Sequence, residues 1–283
     1  MAQWNDPNTQ AWIEQHEQRA VRHSVDVGDH QVSWRQYGEA SGEPLLLIHG
    51  GHGSWMHWAR NIDVLAEKFS LFVVDLPGYG DSSDPLFGEF GDLLTVTEQS
   101  ITQLLGANTP FQISGFSFGG LVSANLAARG MPVRSLAILG PGGHGGPRRE
   151  RGKLVNWKRA VTDEEMREAM RFNLWAHMLY ADEAIDPFAL DIHTYSCVQT
   201  RFRSRGISGR DLLGPALDDY SGQTLIVWGA HDITCDPEYL MTNLIEPHAH
   251  RKGIILPEIG HWVQYEAPEQ TNAILLDWFG QNC

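Results

Sequence analysis

The sequence predicts an α/β protein whose mostly parallel central sheet is flanked by helices and interrupted by a helical insertion between two strands. Short, continuous apolar runs alternate with helical patterns, which is typical of parallel strands buried on both faces. The alternation stops after residue 141, and strand-like runs return only near residue 223. The chain between them carries helical patterns and no obvious strand. We therefore assign residues 1–141 and 216–283 to one α/β core and residues 142–215 to the insertion.

The elements before the insertion follow in a regular order. A helical pattern around residues 11–22 precedes two β-prone runs that flank Gly28 and Asp29, a pair favoured in hairpin turns. Four apolar runs then predict buried strands, separated by helices. These runs are PLLLIHG from residue 44, SLFVVDLPG from residue 70, FQISGFS from residue 111 and VRSLAILGPG from residue 133. The intervening helical patterns cover residues 54–68, 92–105 and 118–128.

The insertion and the final part of the chain have different patterns. Inside the insertion, the segment DEEMREAMRFNLWAHMLY from residue 163 predicts a helix. After the insertion, QTLIVWGAHD from residue 223 and KGIILPEIGH from residue 252 predict two further strands. Helices are predicted at PEYLMTNLI and at PEQTNAILLDWF, so the α/β alternation resumes.

Composition and charge favour a soluble enzyme that acts on small molecules. The 283 residues are 42% hydrophobic, which is enough to bury the core of one large domain. The formal net charge of −14 argues against nucleic acid and anionic membranes as partners, because both require clustered Lys and Arg. No apolar run is long enough to cross a bilayer, and the first residues lack the pattern of a signal peptide.

The cysteines favour a reducing compartment. Cys197, Cys235 and Cys283 form an odd, widely spaced set that resembles neither a disulfide framework nor a zinc site. The other His, Asp and Glu residues show no convincing metal-ligand spacing. We therefore expect a cytoplasmic protein that needs no metal and no other cofactor.

The segment GFSFG, residues 115–119, places one serine between two glycines where a predicted strand gives way to a helix. A sharp turn of this kind lifts Oγ of Ser117 clear of the backbone and offers the Phe118 N–H to a developing oxyanion. Side chains at Gly115 and Gly119 would clash in so tight a turn. Glycine and serine also crowd ordinary turns, so this interpretation depends on partners elsewhere in the chain.

The expected partners of a nucleophilic serine follow in the expected order. A serine hydroxyl needs a base to remove its proton and a third group to orient that base. Asp232 follows one predicted strand, and His261 follows the next. We predict that His261 is the general base towards Ser117 and later the general acid, while Asp232 orients and stabilises its imidazole.

A second oxyanion donor is expected from the loop after an earlier strand. The segment LLLIHGGHGS provides this loop, since Gly50 and Gly51 allow a close approach of the backbone to a substrate. We predict that the N–H groups of Gly51 and Phe118 form the oxyanion hole.

These motifs give the chain a family resemblance. From about Gln31 to Phe279 it resembles the α/β-hydrolase superfamily. Within that fold it is similar to the meta-cleavage-product hydrolases, which cut carbon–carbon bonds in ring-opened aromatic compounds. HWARNI at residues 57–62 and GHWVQYEAPEQTN at residues 260–272 carry this narrower resemblance. It implies that the insertion is a cap over the site, and a homodimer is a reasonable expectation.

The chain departs from this group at two places. Its oxyanion loop is shorter and lacks the group's Gly-Pro-Gly segment. Phe116 and Phe118 flank the serine where the group usually has Asn and Met. Both differences leave the substrate open.

The resemblance also implies residues that bind the substrate. Hydrolases of this group use a cap arginine to hold the substrate's carboxylate, a pairing that suits the planar guanidinium. Arg203 is the first candidate and Arg205 the second, although basic residues on a solvated helix usually bind nothing specific. We further expect Phe116, Trp262 and His52 to contact the substrate.

The sequence therefore predicts a cofactor-independent serine hydrolase with a small apolar or aromatic acid as substrate. The first hypothesis is cleavage of a carbon–carbon bond in a 2-hydroxy-6-oxo-dienoate. The alternative is a carboxylesterase or lactonase that acts on small apolar acyl or aryl esters. A more remote alternative is a ligand-binding protein that keeps the fold without turnover.

Overall fold

A computed structural model of the chain describes residues 5–281. It contains one eight-stranded sheet with the strand order β1-β2-β4-β3-β5-β6-β7-β8. The strands are β1 Val21–Val27, β2 His30–Tyr37, β3 Pro44–Ile48, β4 Ser70–Asp75, β5 Phe111–Phe116, β6 Val133–Leu139, β7 Gln223–Gly229 and β8 Arg251–Leu256.

Helices precede the sheet, connect its strands and follow it. Before the insertion they are α1 Pro7–Arg19, α2 Ile62–Ala66, α3 Phe90–Leu105 and α4 Phe118–Ala128. Between β6 and β7 they are α5 Asp163–His177, α6 Pro187–Val198, α7 Arg205–Ser208 and α8 Leu213–Asp219. The last three are α9 Pro237–Leu240, α10 Val263–Glu266 and α11 Pro268–Gln281. Short 3₁₀ turns lie at Trp55–Trp58, Trp157–Arg159 and Asp182–Ala184, and a π-helical turn at Met241–Ile245 follows α9.

The sheet is mostly parallel, as the alternating pattern predicts. β1 and β2 form an antiparallel hairpin that turns at Gly28 and Asp29, and β2 pairs antiparallel with β4. The strands β4, β3, β5, β6, β7 and β8 are parallel neighbours in that order. The predicted fold class is confirmed. Since these six strands are parallel, their carboxyl ends meet at one edge of the sheet, where side chains distant in sequence come together.

The helix predicted over residues 54–68 is wrong in its extent. The chain forms a 3₁₀ turn at Trp55–Trp58 and then the separate short helix α2. The break falls just before α2, where the Asn61 side chain donates to the Gln264 carbonyl at 3.1 Å and to Asn272 Oδ1 at 2.8 Å. All four residues of the turn are buried, so packing rather than an amphipathic pattern determines their conformation.

Both faces of the sheet are covered, as the apolar runs require. Along β3, Leu46 and Ile48 belong to a cluster that includes side chains of α3 and α4. The alternating residues Leu45 and Leu47 belong to a second cluster that includes side chains of α2 and α11. Successive side chains of a strand point to opposite faces of the sheet, so one apolar run contributes to the hydrophobic clusters on both faces.

The chain between β6 and β7 carries the insertion. Its helix α6 packs against α1 and the Trp55–Trp58 turn, while α8 packs against α4 of the core. The boundary predicted at residue 215 falls inside α8, so the division into core and cap stays a prediction. No helix within residues 5–281 has the length and apolar character required to span a bilayer.

A buried ion pair lies at the end of β4. Asp75 and Arg35 are almost completely buried, and the Arg35 guanidinium donates to the Asp75 carboxylate at 3.0 Å. Arg35 also pairs with Glu17 at 2.7 Å. Asp75 accepts further hydrogen bonds from the N–H groups of Trp55 and Asp81. The pair therefore joins α1, β2, β4 and the loop that carries the 3₁₀ turn.

Replacing Arg35 with methionine is expected to lower the free energy of unfolding by about 3–5 kcal/mol, because Asp75 would be left as an unpaired buried charge. Urea denaturation at neutral pH measures the change. Arg22→Met is the matched control, since Arg22 also pairs with Glu17 but its side chain is 45% exposed. It should cost less than about 1 kcal/mol. Equal losses for the two variants would contradict the role of the buried pair.

Candidate active site

Ser117 lies at the junction between β5 and α4 in a strained backbone conformation. Its φ of 53° and ψ of −115° are rarely adopted by residues other than glycine. The surrounding hydrogen bonds hold this geometry. The Ser117 N–H donates to the Leu139 carbonyl at 2.8 Å, and the Ser117 carbonyl accepts from the N–H groups of Gly120 and Gly142, both at 3.0 Å. The turn thus presents the serine hydroxyl at the carboxyl edge of the sheet.

The two glycines of the turn are needed for close packing rather than for a left-handed conformation. A Cβ atom at Gly119 would lie 2.4 Å from the carbonyl oxygens of Ile48 and His49. A Cβ atom at Gly115 would lie 2.3 Å from the Gly119 carbonyl oxygen. Side chains at either position would therefore force β3, β5 and α4 apart.

The structure brings Ser117, His261 and Asp232 into one hydrogen-bonded series. Ser117 Oγ lies 2.9 Å from His261 Nε2, and His261 Nδ1 lies 2.8 Å from Asp232 Oδ2. Asp232 follows β7 and His261 follows β8, so neighbouring parallel strands position both side chains. Both are buried, whereas Ser117 keeps part of its surface accessible. This arrangement can move a proton from the hydroxyl to the imidazole while a charge stays beside it.

Asp232 is held by a residue that the sequence analysis missed. Its Oδ1 accepts hydrogen bonds from the Thr234 N–H at 2.7 Å and from the Thr234 hydroxyl at 2.8 Å. Burial alone would raise the pKa of Asp232, but the charge of His261 and these hydrogen bonds outweigh burial and lower it. The carboxylate thus stays ionised. In a common turn motif, an Asp side chain accepts a hydrogen bond from the N–H two residues later in the chain. This motif is the sequence signal that could have identified Thr234 as a partner of Asp232.

The loop after β3 lies beside the start of α4. A Cβ atom at Gly51 would lie 2.5 Å from Ser204 Oγ and 3.7 Å from Phe118 Cβ, so backbone alone fits there. The first N–H groups of a helix lack intrahelical acceptors, and Phe118 is the first residue of α4. These positions suit the predicted oxyanion hole, and the roles of the Gly51 and Phe118 N–H groups stay predictions.

Two buried histidines fix the loop that contains Gly51. His49 accepts from the Leu76 N–H at 3.0 Å through Nε2 and donates from Nδ1 to the Gly50 carbonyl at 2.7 Å. The Gly50 N–H donates to His57 Nδ1 at 3.2 Å. Burial lowers the pKa of His49, and it lowers that of His57 well below its usual value. Both rings are therefore neutral supports of the loop backbone.

Comparison with known proteins assigns the family. A model described as the Alpha/beta hydrolase family matches residues 45–274, which is most of the chain. The chain belongs to the alpha/beta hydrolase family. The predicted superfamily and the prediction of a hydrolase are confirmed.

The relatives of this hydrolase include enzymes of two kinds. A 2-hydroxy-6-oxononadienedioate/2-hydroxy-6-oxononatrienedioate hydrolase of Comamonas testosteroni is 22% identical over 303 residues, covering 98% of this chain and 99% of the relative. Lipase 3 of a Moraxella species is 28% identical over 262 residues, covering 86% of this chain and 79% of the relative. The resemblance to carbon–carbon bond hydrolases thus exists at low identity, beside an equally evident resemblance to lipases.

A solved structure shows the same fold. The crystal structure of a putative aryl esterase from Burkholderia cenocepacia matches with a TM-score of 0.77 and 19% identity, covering 93% of this chain and 99% of that one. At this identity the likeness concerns the fold alone.

Two of the side chains predicted to contact the substrate are buried next to His261 and the loop after β3. Phe116 and Trp262 are fully buried in the hydrolase. The Phe116 ring packs 5.0 Å from the His261 ring and 5.3 Å from the His57 ring. The Trp262 indole N–H donates to the His57 carbonyl at 3.0 Å. Both side chains therefore support His261 and the adjacent loop, and a contact with substrate stays a prediction.

The other predicted substrate residues lie at the surface. Arg203, Arg205 and His52 are exposed, and within residues 5–281 Arg203 has no hydrogen bond and no ion pair. The atoms packed around His52, and then the charges of Lys158 and Arg205, lower the pKa of His52. Of the two arginines, Arg205 is the one whose charge acts on His52 in the loop after β3. Binding of a carboxylate by either arginine stays a prediction.

A histidine of the insertion approaches the site without any signal in the sequence. His177, the last residue of α5, has its ring 5.8 Å from the His261 ring. Only the packing of α5 against the segment after β8 brings these two rings together. In the described part of the chain, no group of three or more His, Cys, Asp or Glu side chains is arranged to hold a metal ion.

Proposed function

We propose that the protein is a serine hydrolase that cleaves carboxylic esters with a small apolar acyl group. The observation that carries this proposal is the Ser117–His261–Asp232 series, with its distances of 2.9 Å and 2.8 Å. Ser117 attacks the ester carbonyl while His261 accepts its proton at Nε2. The tetrahedral intermediate collapses to an acyl-enzyme on Ser117, and His261 returns the proton to the departing alcohol. Water then releases the acid by the same steps.

The environment of the series suits these proton transfers. Asp232 stays ionised and accepts from His261 Nδ1, which leaves Nε2 free to accept the serine proton. The oxyanion would be stabilised by the Gly51 and Phe118 N–H groups, which a glycine-lined loop and a helix start make available. Donors fixed before the reaction need no reorganisation when the charge develops.

Aromatic packing beside Ser117 supports an apolar acyl group. The Phe118 ring stacks on Phe202 of the insertion at 6.1 Å and contacts Phe90 at 5.8 Å. Phe202 also contacts Tyr79 and Phe87. Phe118, Phe202 and Tyr79 are almost fully buried, so apolar packing rather than charged groups joins the core to the insertion beside Ser117.

The second candidate is cleavage of a carbon–carbon bond in a 2-hydroxy-6-oxo-dienoate. The nearly full-length relative of Comamonas testosteroni and the Trp262 that follows His261 favour it. His261 would first assist ketonisation of the dienol, and Ser117 or water activated through it would then attack the C6 carbonyl. This candidate requires a cation held in place to bind the substrate's carboxylate. Arg203 and Arg205 are both exposed, so neither side chain is held in place by packing. For this reason we rank ester hydrolysis first.

The two candidates are separated by parallel assays of the purified protein. A fluorophosphonate probe reports a reactive Ser117, and absence of Ser117-dependent labelling would favour a ligand-binding protein without turnover. Hydrolysis of p-nitrophenyl esters is then compared with loss of the yellow colour of a catechol or biphenyl-diol ring-fission product. We expect ester turnover without bleaching. Bleaching with little ester turnover would replace our proposal by carbon–carbon cleavage.

The remaining expectations from the sequence are proposals as well. A homodimer is tested by gel filtration of the purified protein at several concentrations. The proposal of a cytoplasmic location rests on cysteine usage.

A further inference from the structure

His177 is rigidly placed with respect to the proposed catalytic base. The Trp262 N–H, next to His261, donates to the carbonyl of Met178, next to His177, at 2.8 Å. The Glu266 carboxylate accepts from the N–H groups of Gly260, Tyr180 and Ala181 at 2.7, 2.9 and 2.7 Å. One carboxylate thus binds the segment before His261 and the chain just after α5. The arrangement fixes the distance between the two rings.

The ring nitrogens of His177 have no hydrogen-bond partner among residues 5–281, and its side chain is only partly exposed. Its ring meets that of His261 edge-on, with an interplanar angle of 66°. Neither ring nitrogen is fully buried, so each can bond to water or to a molecule bound at the site. The position of His177 therefore favours a contact with a bound substrate or with water at the site.

The protonation state of His177 indicates whether it acts as a base or as a hydrogen-bond donor. Burial, and then the charge of His261, lower its pKa to about 3. At neutral pH its imidazole is uncharged, with one N–H donor and one acceptor nitrogen. An imidazole with so low a pKa is a weak base, so His177 does not serve as a second general base. The neutral ring of His177 can still donate a hydrogen bond to a substrate.

We propose that the His177 N–H donates a hydrogen bond to the leaving-group oxygen while His261 protonates that oxygen. The inference rests on the proposed ester hydrolysis. His261 Nε2 delivers its proton where the alcohol departs, and the His177 ring lies beside the His261 ring on the insertion side. A donor at this place stabilises charge that develops on the oxygen as the acyl bond breaks. It selects esters whose alcohols are poor leaving groups.

The test compares two esters of the same acid, one with p-nitrophenol and one with a simple alkyl alcohol as leaving group. His177→Phe keeps a ring but removes the donor, and His177→Gln restores an amide donor. We expect His177→Phe to lower kcat/KM for the alkyl ester by about fivefold to tenfold. The p-nitrophenyl ester should change less than about twofold, because its leaving group is stable as an anion. His177→Gln should recover most of the alkyl-ester activity.

Controls separate this inference from the proposed function. His231→Phe removes an exposed histidine that stacks on Tyr180, and it should leave the ratio of the two kcat/KM values unchanged. Fluorophosphonate labelling of Ser117 in His177→Phe checks that the site is intact. Equal losses on both esters, or no loss on the alkyl ester, would overturn the role of His177 and leave the proposed function standing. A wild-type protein that labels at Ser117 but cleaves neither ester would overturn both.

Discussion

Replacing Ser117 with alanine is expected to lower kcat for ester hydrolysis by roughly 10⁶-fold, because the variant loses the atom that forms the acyl-enzyme. Ser117 Oγ is the group within 2.9 Å of His261 Nε2, and the substitution leaves the imidazole without a nucleophile to activate. The fold should persist, since the hydrogen bonds that fix the turn involve the Ser117 backbone. Residual activity would come from the oxyanion donors and from substrate binding. Initial rates at saturating ester and fluorophosphonate labelling measure the loss.

A matched serine controls for nonspecific effects. Ser114 lies three residues earlier, on β5, is fully buried and has an unpaired hydroxyl in the described part of the chain. Ser114→Ala should keep kcat within about twofold and label normally, because no polar partner is lost. If Ser117→Ala kept more than a few per cent of the wild-type kcat, Ser117 could not be the nucleophile.

Replacing Asp232 with asparagine is expected to lower kcat by roughly 10⁴-fold, with little change in the shape of the site. Asp232 Oδ2 accepts from His261 Nδ1, while Oδ1 accepts from the N–H and the hydroxyl of Thr234. An asparagine must turn its NH₂ group towards one of these sides. Since the Thr234 N–H can only donate, the NH₂ group should face His261 Nδ1. The imidazole would then carry its proton on Nε2 and could not accept the proton of Ser117.

The measurement for this prediction is kcat at neutral pH, with KM as a check that binding persists. Asp236→Asn is the matched control, because Asp236 caps α9 near the same loop and asparagine caps helices about as well. It should change kcat by less than about threefold. Comparable losses in the two variants would indicate damage to the loop rather than a wrong tautomer of His261.

Local sequence located the Ser117, His261 and Asp232 series more sharply than it located the ends of the helices. The glycines of GFSFG predicted a tight turn, and they stand where a Cβ atom would lie within 2.4 Å of backbone carbonyls. Ser117, Asp232 and His261 each follow the carboxyl end of a predicted strand, and this was enough to bring them to one edge of a parallel sheet. The helix predicted over residues 54–68 is interrupted just before α2, where the Asn61 side chain bonds the distant residues Gln264 and Asn272. No local pattern reports such a partner.

The sequence by itself determined the fold class, the strands and the residues of the Ser–His–Asp series. Each of these depends on periodicity or on short motifs, and parallel strands necessarily bring their carboxyl ends together. Only the tertiary structure decided what surrounds the series. It buried Phe116 and Trp262, left Arg203 at the surface and placed His177 beside His261. These outcomes depend on how the insertion packs against the core, through contacts between residues far apart in the chain, which local patterns do not encode.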